Sequence, residues 1–109
     1  MTNKTLELKL TPLERTAVHT PTQEGYKTLM QIYELGGWKW NNGSLPTKFN
    51  YWFEKHREKT CVKVGSSFGF ADKEFYKGQK WKIISTNKFY KKQGITSEKL
   101  EKINKYFEK

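Results

Sequence analysis

Two histidines, His19 and His56, and one cysteine, Cys61, are the side chains of this sequence best suited to proton transfer or nucleophilic attack near neutral pH. A histidine pair beside many lysines could cleave RNA without metal, as general acid and base, with the lysines steadying a phosphorane. Neither histidine sits in a recognisable motif: His19 precedes a helix start, and His56 lies in the charged run EKHREK, typical of a solvated face. A small metal-independent ribonuclease is therefore the remote reading. Cys61 could act with His56, five residues away, as its base, but a thiol in the apolar strand around Val62 is more often an inert core residue. One cysteine and two histidines are too few for a closed tetrahedral zinc site. Gly36, Gly37, Gly43, Gly65 and Gly69 never form the G-x-x-x-x-G-K-[ST] phosphate loop. The expectation is a protein with no catalytic residue, no metal and no cofactor.

The stronger constellation is aromatic and basic interleaving: WKW at 38–40, YWF at 51–53, FYK at 75–77, KWK at 80–82 and FYKK at 89–92. Single-stranded nucleic acid is bound by this combination, because rings stack on bases while lysines follow the phosphates. The candidate polyanion-binding or partner-binding residues are Lys39, Lys63, Lys80, Lys82, Lys91 and Lys92 with Trp38, Tyr51 and Trp52. Against that reading stands the need of a small domain for its large rings as core. Strand alternation puts Trp81 and Ile83 on one face and Lys80 and Lys82 on the other, so a basic sheet face of Lys39, Lys63, Lys80 and Lys82 is expected opposite a packed Trp81.

The net charge of +10 supports such a face by its placement. Residues 1–37 hold four cationic and four acidic side chains, leaving 17 of 21 Lys or Arg against 7 of 11 Asp or Glu beyond Gly37. Clustered lysines attract phosphates and gain from counterion release. Lysine point charges suit phosphate contact rather than base reading, which prefers arginine. The plain alternative is solubility charge: Lys, Asn, Ile, Tyr and Phe are all plentiful, as an AT-rich genome would encode.

Positioning these residues requires a framework that is legible in part. Leu6, Leu8 and Leu10 alternate with Glu7 and Lys9, as in a half-buried strand or an extended arm. Thr20, Pro21 and Gln23 read as N-cap, first helical residue and capping box, and Tyr26, Leu29, Met30 and Tyr33 make the apolar stripe of a helix that ends after Leu35 at Gly36 and Gly37. Trp38–Trp40 reads as a short strand before an Asn42-Gly43 turn, and 47–59 as a helical turn or an irregular loop. Strands are expected at Thr60–Val64, Phe68–Phe70 and Lys80–Ser85, separated by a Gly-Ser turn and a segment around Gly78. Thr96 caps a last helix with Leu100, Ile103 and Phe107 as its stripe. The sum is one α+β domain over 1–109: an arm or strand to residue 19, a core from 20 to 90 with a capped helix on a small, mostly antiparallel sheet, and a helix from 95 to 109. A single cysteine, the absence of any apolar run near the roughly 20 residues of a membrane span, and an N-terminus without export features predict a cytoplasmic protein.

The run from Pro21 to Val64 and the later GQKWKIISTNKFY resemble a loose group of small phage and prophage accessory proteins. The shared pattern is a capped helix, a glycine, an aromatic strand, G-x-x-P-T, a strand with T-C, and a strand ending I-I-S-x-x-x-F; here the positions are Pro21, Gly37, Trp40, Gly43, Pro46, Thr47, Thr60, Cys61, Ile83, Ile84, Ser85 and Phe89. The resemblance covers about residues 20–90 and assigns no catalytic residue. It implies phage origin and an accessory role opposing a host defence system, anti-CRISPR-like, with a host protein or nucleoprotein as partner. Low-specificity binding of RNA or DNA is the alternative.

Overall fold

The computed structural model describes residues 8–39, 43, 45–48, 57–65 and 68–108. Leu6, Trp40, Asn42, Tyr51, Trp52, His56 and Lys109, and with them the YWF constellation, lie outside the described residues.

Four strands form one sheet in the order β3-β2-β1-β4: β1 Thr16–His19, β2 Thr60–Val64, β3 Phe68–Asp72 and β4 Lys82–Ser85. The β1–β2 and β2–β3 pairs are antiparallel, with Val18 opposite Val62 and Val62 opposite Phe70. The sheet is mostly antiparallel, as expected, with one exception: β4 runs parallel to β1, with Val18 opposite Ile84. Backbone hydrogen bonds from Leu13 N–H to the Val64 carbonyl (2.8 Å) and from Thr20 N–H to the Thr60 carbonyl (2.9 Å) extend the β1–β2 pairing at both ends.

The two faces of the sheet differ in what covers them. On one, Val18, Val62, Val64 and Ile84 pack with Tyr26, Leu29, Met30, Ile32 and Tyr33 of α1 (Gln23–Leu35), Phe89 of α3 (Thr86–Lys92) and Ile103 of α4 (Ser97–Phe107). The Tyr33 ring stacks on Phe89 with centroids 5.9 Å apart. On the other, Ala17 and Cys61 meet Tyr76 of α2 (Lys73–Gly78), flanked by Ala71, Trp81 and Ile83. The thick core therefore lies under three helices and the thin one under a single short helix. No helix among the described residues is long and apolar enough to cross a membrane.

The stripes of α1 and α4 stand as their spacing predicts: the four α1 residues are buried, as is Ile103, with Leu100 and Phe107 partly so. Thr96 Oγ1 accepts from Lys99 N–H at 3.2 Å. The start of α1 differs. Thr22, not Thr20, is the N-cap, its hydroxyl accepting from Gly25 N–H at 3.0 Å. Thr20 stays with the sheet because its hydroxyl donates to the Thr60 carbonyl at 3.0 Å in a fully buried setting. Trp38 and Lys39 form no strand. The segment before Gly78 is α2, capped by Asp72, and the residues after β4 turn directly into α3, capped by Ser85. Leu8 and Leu10 form no strand either, but pack on the main core as an arm. Gln93 pins that arm by a reciprocal pair of 2.7 Å hydrogen bonds with the Thr11 backbone. Pro46–Lys48 and Arg57–Lys59 are single 3-10 turns, one at each end of the stretch read as a helical turn or an irregular loop.

These assignments set a stability test. Thr22→Ala is expected to lower unfolding free energy by roughly 0.5–2 kcal/mol through the lost cap. Thr20→Val, which keeps the buried shape but removes the donor, should cost about 0.5–1.5 kcal/mol. An unchanged urea midpoint for Thr22→Ala would place the helix start elsewhere.

Candidate polyanion-binding corner

Three helices of this chain end in the same way. The amide two residues past the cap reaches back to a tyrosine carbonyl: Trp38 to Tyr33 (3.0 Å), Trp81 to Tyr76 (2.9 Å) and Ile95 to Tyr90 (2.8 Å). The preceding amide closes a shorter bond: Gly37 to Glu34, Lys80 to Lys77 and Gly94 to Lys91, at 3.0–3.1 Å. That middle residue must be left-handed, and its φ is +86° at Gly37, +72° at Gly94 and +63° at Lys80. Two of the three positions carry the glycine that this geometry favours. The third carries a lysine, at a backbone cost of about 1 kcal/mol.

A second left-handed cation stands beside it. Arg15 has φ +53° at the entrance to β1, and its carbonyl accepts from Lys82 N–H at 2.9 Å, one residue ahead of the first β1–β4 pair. Its guanidinium donates to the Gln79 carbonyl at 2.7 Å and lies over the Trp81 ring, 5.7 Å from the centroid. Trp81 rests in turn on the buried Tyr76 (5.1 Å), and Tyr76 meets Phe75 edge-on (5.4 Å). Phe75 is 54% exposed. Arg15, Lys77, Lys80 and Lys82 are all exposed: Arg15 lies over the half-buried indole, Lys77 and Lys80 belong to the turn that leads into it, and Lys82 follows it at the start of the edge strand β4. One nitrogen of the Arg15 fork is used on Gln79, and the guanidinium carries further donors that suit an anion.

The expected four-lysine face is thereby corrected. Lys63 lies in one row with Ala17 and Ile83, on the face that packs Trp81 rather than opposite it, and its stem covers Gly69, where a Cβ would come within 2.9 Å of Lys63 Cε. Lys80 belongs to the turn, where strand alternation does not apply. Only Lys82 points as expected, in register with Thr16. Lys39 follows α1, and Lys91 and Lys92 end α3, so these exposed lysines belong to the layer on the other side of the sheet. Trp38 is half-buried edge-on to Tyr33 at 5.5 Å. Tyr51 and Trp52 lie outside the described residues. The structure thus joins FYK and KWK and adds Arg15, which sequence reasoning missed. A signal for the joint was present: Y-x-x-x-G-W at 33–38, Y-x-x-x-K-W at 76–81 and Y-x-x-x-G-I at 90–95 are three copies of one helix ending.

The catalytic candidates fare differently. His19 Nε2 is 2.7 Å from the Glu58 carbonyl, to which it donates. Cys61 is fully buried; burial pushes its thiol up to about 12, Lys73 offsetting part and Asp72 adding to the rise. A nucleophilic thiol needs the opposite shift. No group of three potential metal ligands occurs among the described residues. No protein-family model, curated protein or solved structure matches the chain.

The raised thiol gives stability a direction with pH. The unfolded thiol ionises near 9.0 and the folded one near 12, so its contribution is complete below pH 9 and lost as pH rises towards 12. Tyr76, pushed by burial from 10.0 to about 12, acts with the same sign. The urea midpoint is expected to fall across this window, and less steeply in Cys61→Ala. A midpoint equally flat in both proteins would contradict the buried placement of the thiol.

Proposed function

We propose that this chain is a non-catalytic binding protein that docks through the corner of Arg15, Lys77, Lys80 and Lys82 on a phosphate-rich surface of a nucleoprotein. Its role is that of an inhibitor of a host defence complex, of the phage accessory type its sequence resembles, acting in the bacterial cytoplasm. The observation that carries the docking surface is Lys80 itself: a cation occupies the strained position that glycine fills in the two sister helix ends. Strain of this kind persists where the strained residue is used. The inhibitor role rests on the resemblance, and the cation placement agrees with it, because the exposed nucleic acid of such a nucleoprotein offers phosphates to a cationic surface.

Direct binding of single-stranded nucleic acid is the second reading, favoured by Phe75, whose exposed ring beside Lys77 could stack on a base. A pull-down from bacterial lysate, with and without nuclease, separates the two. A defined protein complex that survives nuclease supports the inhibitor, and loss of all captured material supports the second reading.

Lys80→Gly should stabilise the fold by about 1 kcal/mol, since it relieves the left-handed lysine, while weakening partner binding. Changing Lys77, Lys80 and Lys82 to Gln should lower affinity and flatten its salt dependence. The same change at Lys99, Lys102 and Lys105 of α4 removes equal charge and should do neither. Equal losses from both sets would reduce the effect to net charge.

A further inference from the structure

A cavity of about 570 Å³ lies between α1 and the end of α4, within the range of small-molecule sites. Tyr26 and Met30 from α1 and Phe107 from α4 supply apolar wall, and Glu24 and Lys27 supply charge at the rim. Gln31 lines both this cavity and a second recess of about 280 Å³, as do Glu24, Lys27 and Phe107. Gln31 is 5% exposed, and its carbonyl oxygen is buried with no hydrogen-bond partner.

A buried amide oxygen without a donor is costly, and substitution by an apolar residue of the same shape would remove that cost. Gln31 lies on the face of α1 that also carries Lys27 and Glu24, one and two turns earlier, and all three line the cavity. The terminal torsion of a glutamine is broad and two-fold, so rotation exchanges its oxygen and nitrogen at little cost. The amide can therefore meet a ligand with one donor and one acceptor side by side, which is the edge that glutamine reads on adenine. Aromatic and thioether side chains beside that edge suit a flat ring.

From this geometry we infer that the α1–α4 cavity is a binding site for a small planar heteroaromatic ligand with adjacent hydrogen-bond donor and acceptor, the chemistry of a purine base, which Gln31 recognises through its amide. The site is separate from the Arg15–Trp81 pair, which belongs to the opposite side of the sheet, and does not rest on the function proposed for that pair.

The test uses adenine as probe and the full chain labelled for NMR. Adenine is expected to shift the side-chain amide of Gln31, the Met30 methyl and the Phe107 ring in a saturable manner. Gln31→Met should bind adenine roughly tenfold or more weakly, with thermal stability equal to or above that of the parent because the unpaired acceptor is gone. Toluene serves as the ring without the polar edge and should leave these signals unmoved. The inference is overturned by adenine shifts confined to Trp81 and its neighbours, by no shift at all, by equal binding to Gln31→Met, or by toluene that matches adenine. A lower melting temperature for Gln31→Met would also count against it, since it would show the amide to be already satisfied.

Discussion

Thr16–His19 is four residues long, yet it hydrogen-bonds to a strand on each side, antiparallel to β2 and parallel to β4. Both of its faces are covered: Val18 enters the core under α1, α3 and α4, and Ala17 the smaller core under α2. The segment must enter the sheet at one place only, because Lys82 N–H needs the Arg15 carbonyl and Thr20 needs the Thr60 carbonyl. A slip of one residue would exchange Ala17 with Val18 and break both ends. That register places the left-handed Arg15 directly over Trp81, so the cationic corner is a consequence of how the central strand begins.

The corner also holds two of the three left-handed non-glycine residues among the described residues, Arg15 and Lys80, with Arg57 the third. Gly37 and Gly94 show that the chain has glycine in the same turn elsewhere, so the lysine at position 80 is not dictated by the turn. Trp81 meets Tyr76 and lies under the Arg15 guanidinium while it packs with its core neighbours Ala17, Cys61 and Ile83. One ring thus takes part in the core and in the contact with a surface cation.

The stripes of α1 and α4 were readable because a helix of three turns or so repeats its apolar spacing, and β2, β3 and β4 because valine, isoleucine and phenylalanine crowd there. The strand β1 was not readable, since a strand buried on both faces shows no alternation and TAVH is short. The helices α2 and α3 escaped for the related reason that two turns carry no period, although Asp72 and Ser85 stood as caps. Thr20 and Thr22 are equally good caps in sequence; the carbonyl of Thr60, far along the chain, decides between them. At the site, KWK and FYK were legible as types, but their union through Arg15 depends on the parallel β1–β4 pair, whose direction no local pattern reveals.

The central claim is that phosphate meets this molecule at Arg15, Lys77, Lys80 and Lys82 around Trp81. Titration of the labelled protein with a short oligothymidylate, followed through arginine and lysine side-chain and indole N–H signals, tests it most directly. Shifts concentrated on the Arg15 guanidinium, the Trp81 indole and Lys80, with the α4 lysines Lys99, Lys102 and Lys105 unmoved, are the predicted result. Shifts spread evenly over the lysines of α3 and α4, with Arg15 and Trp81 silent, would contradict the account.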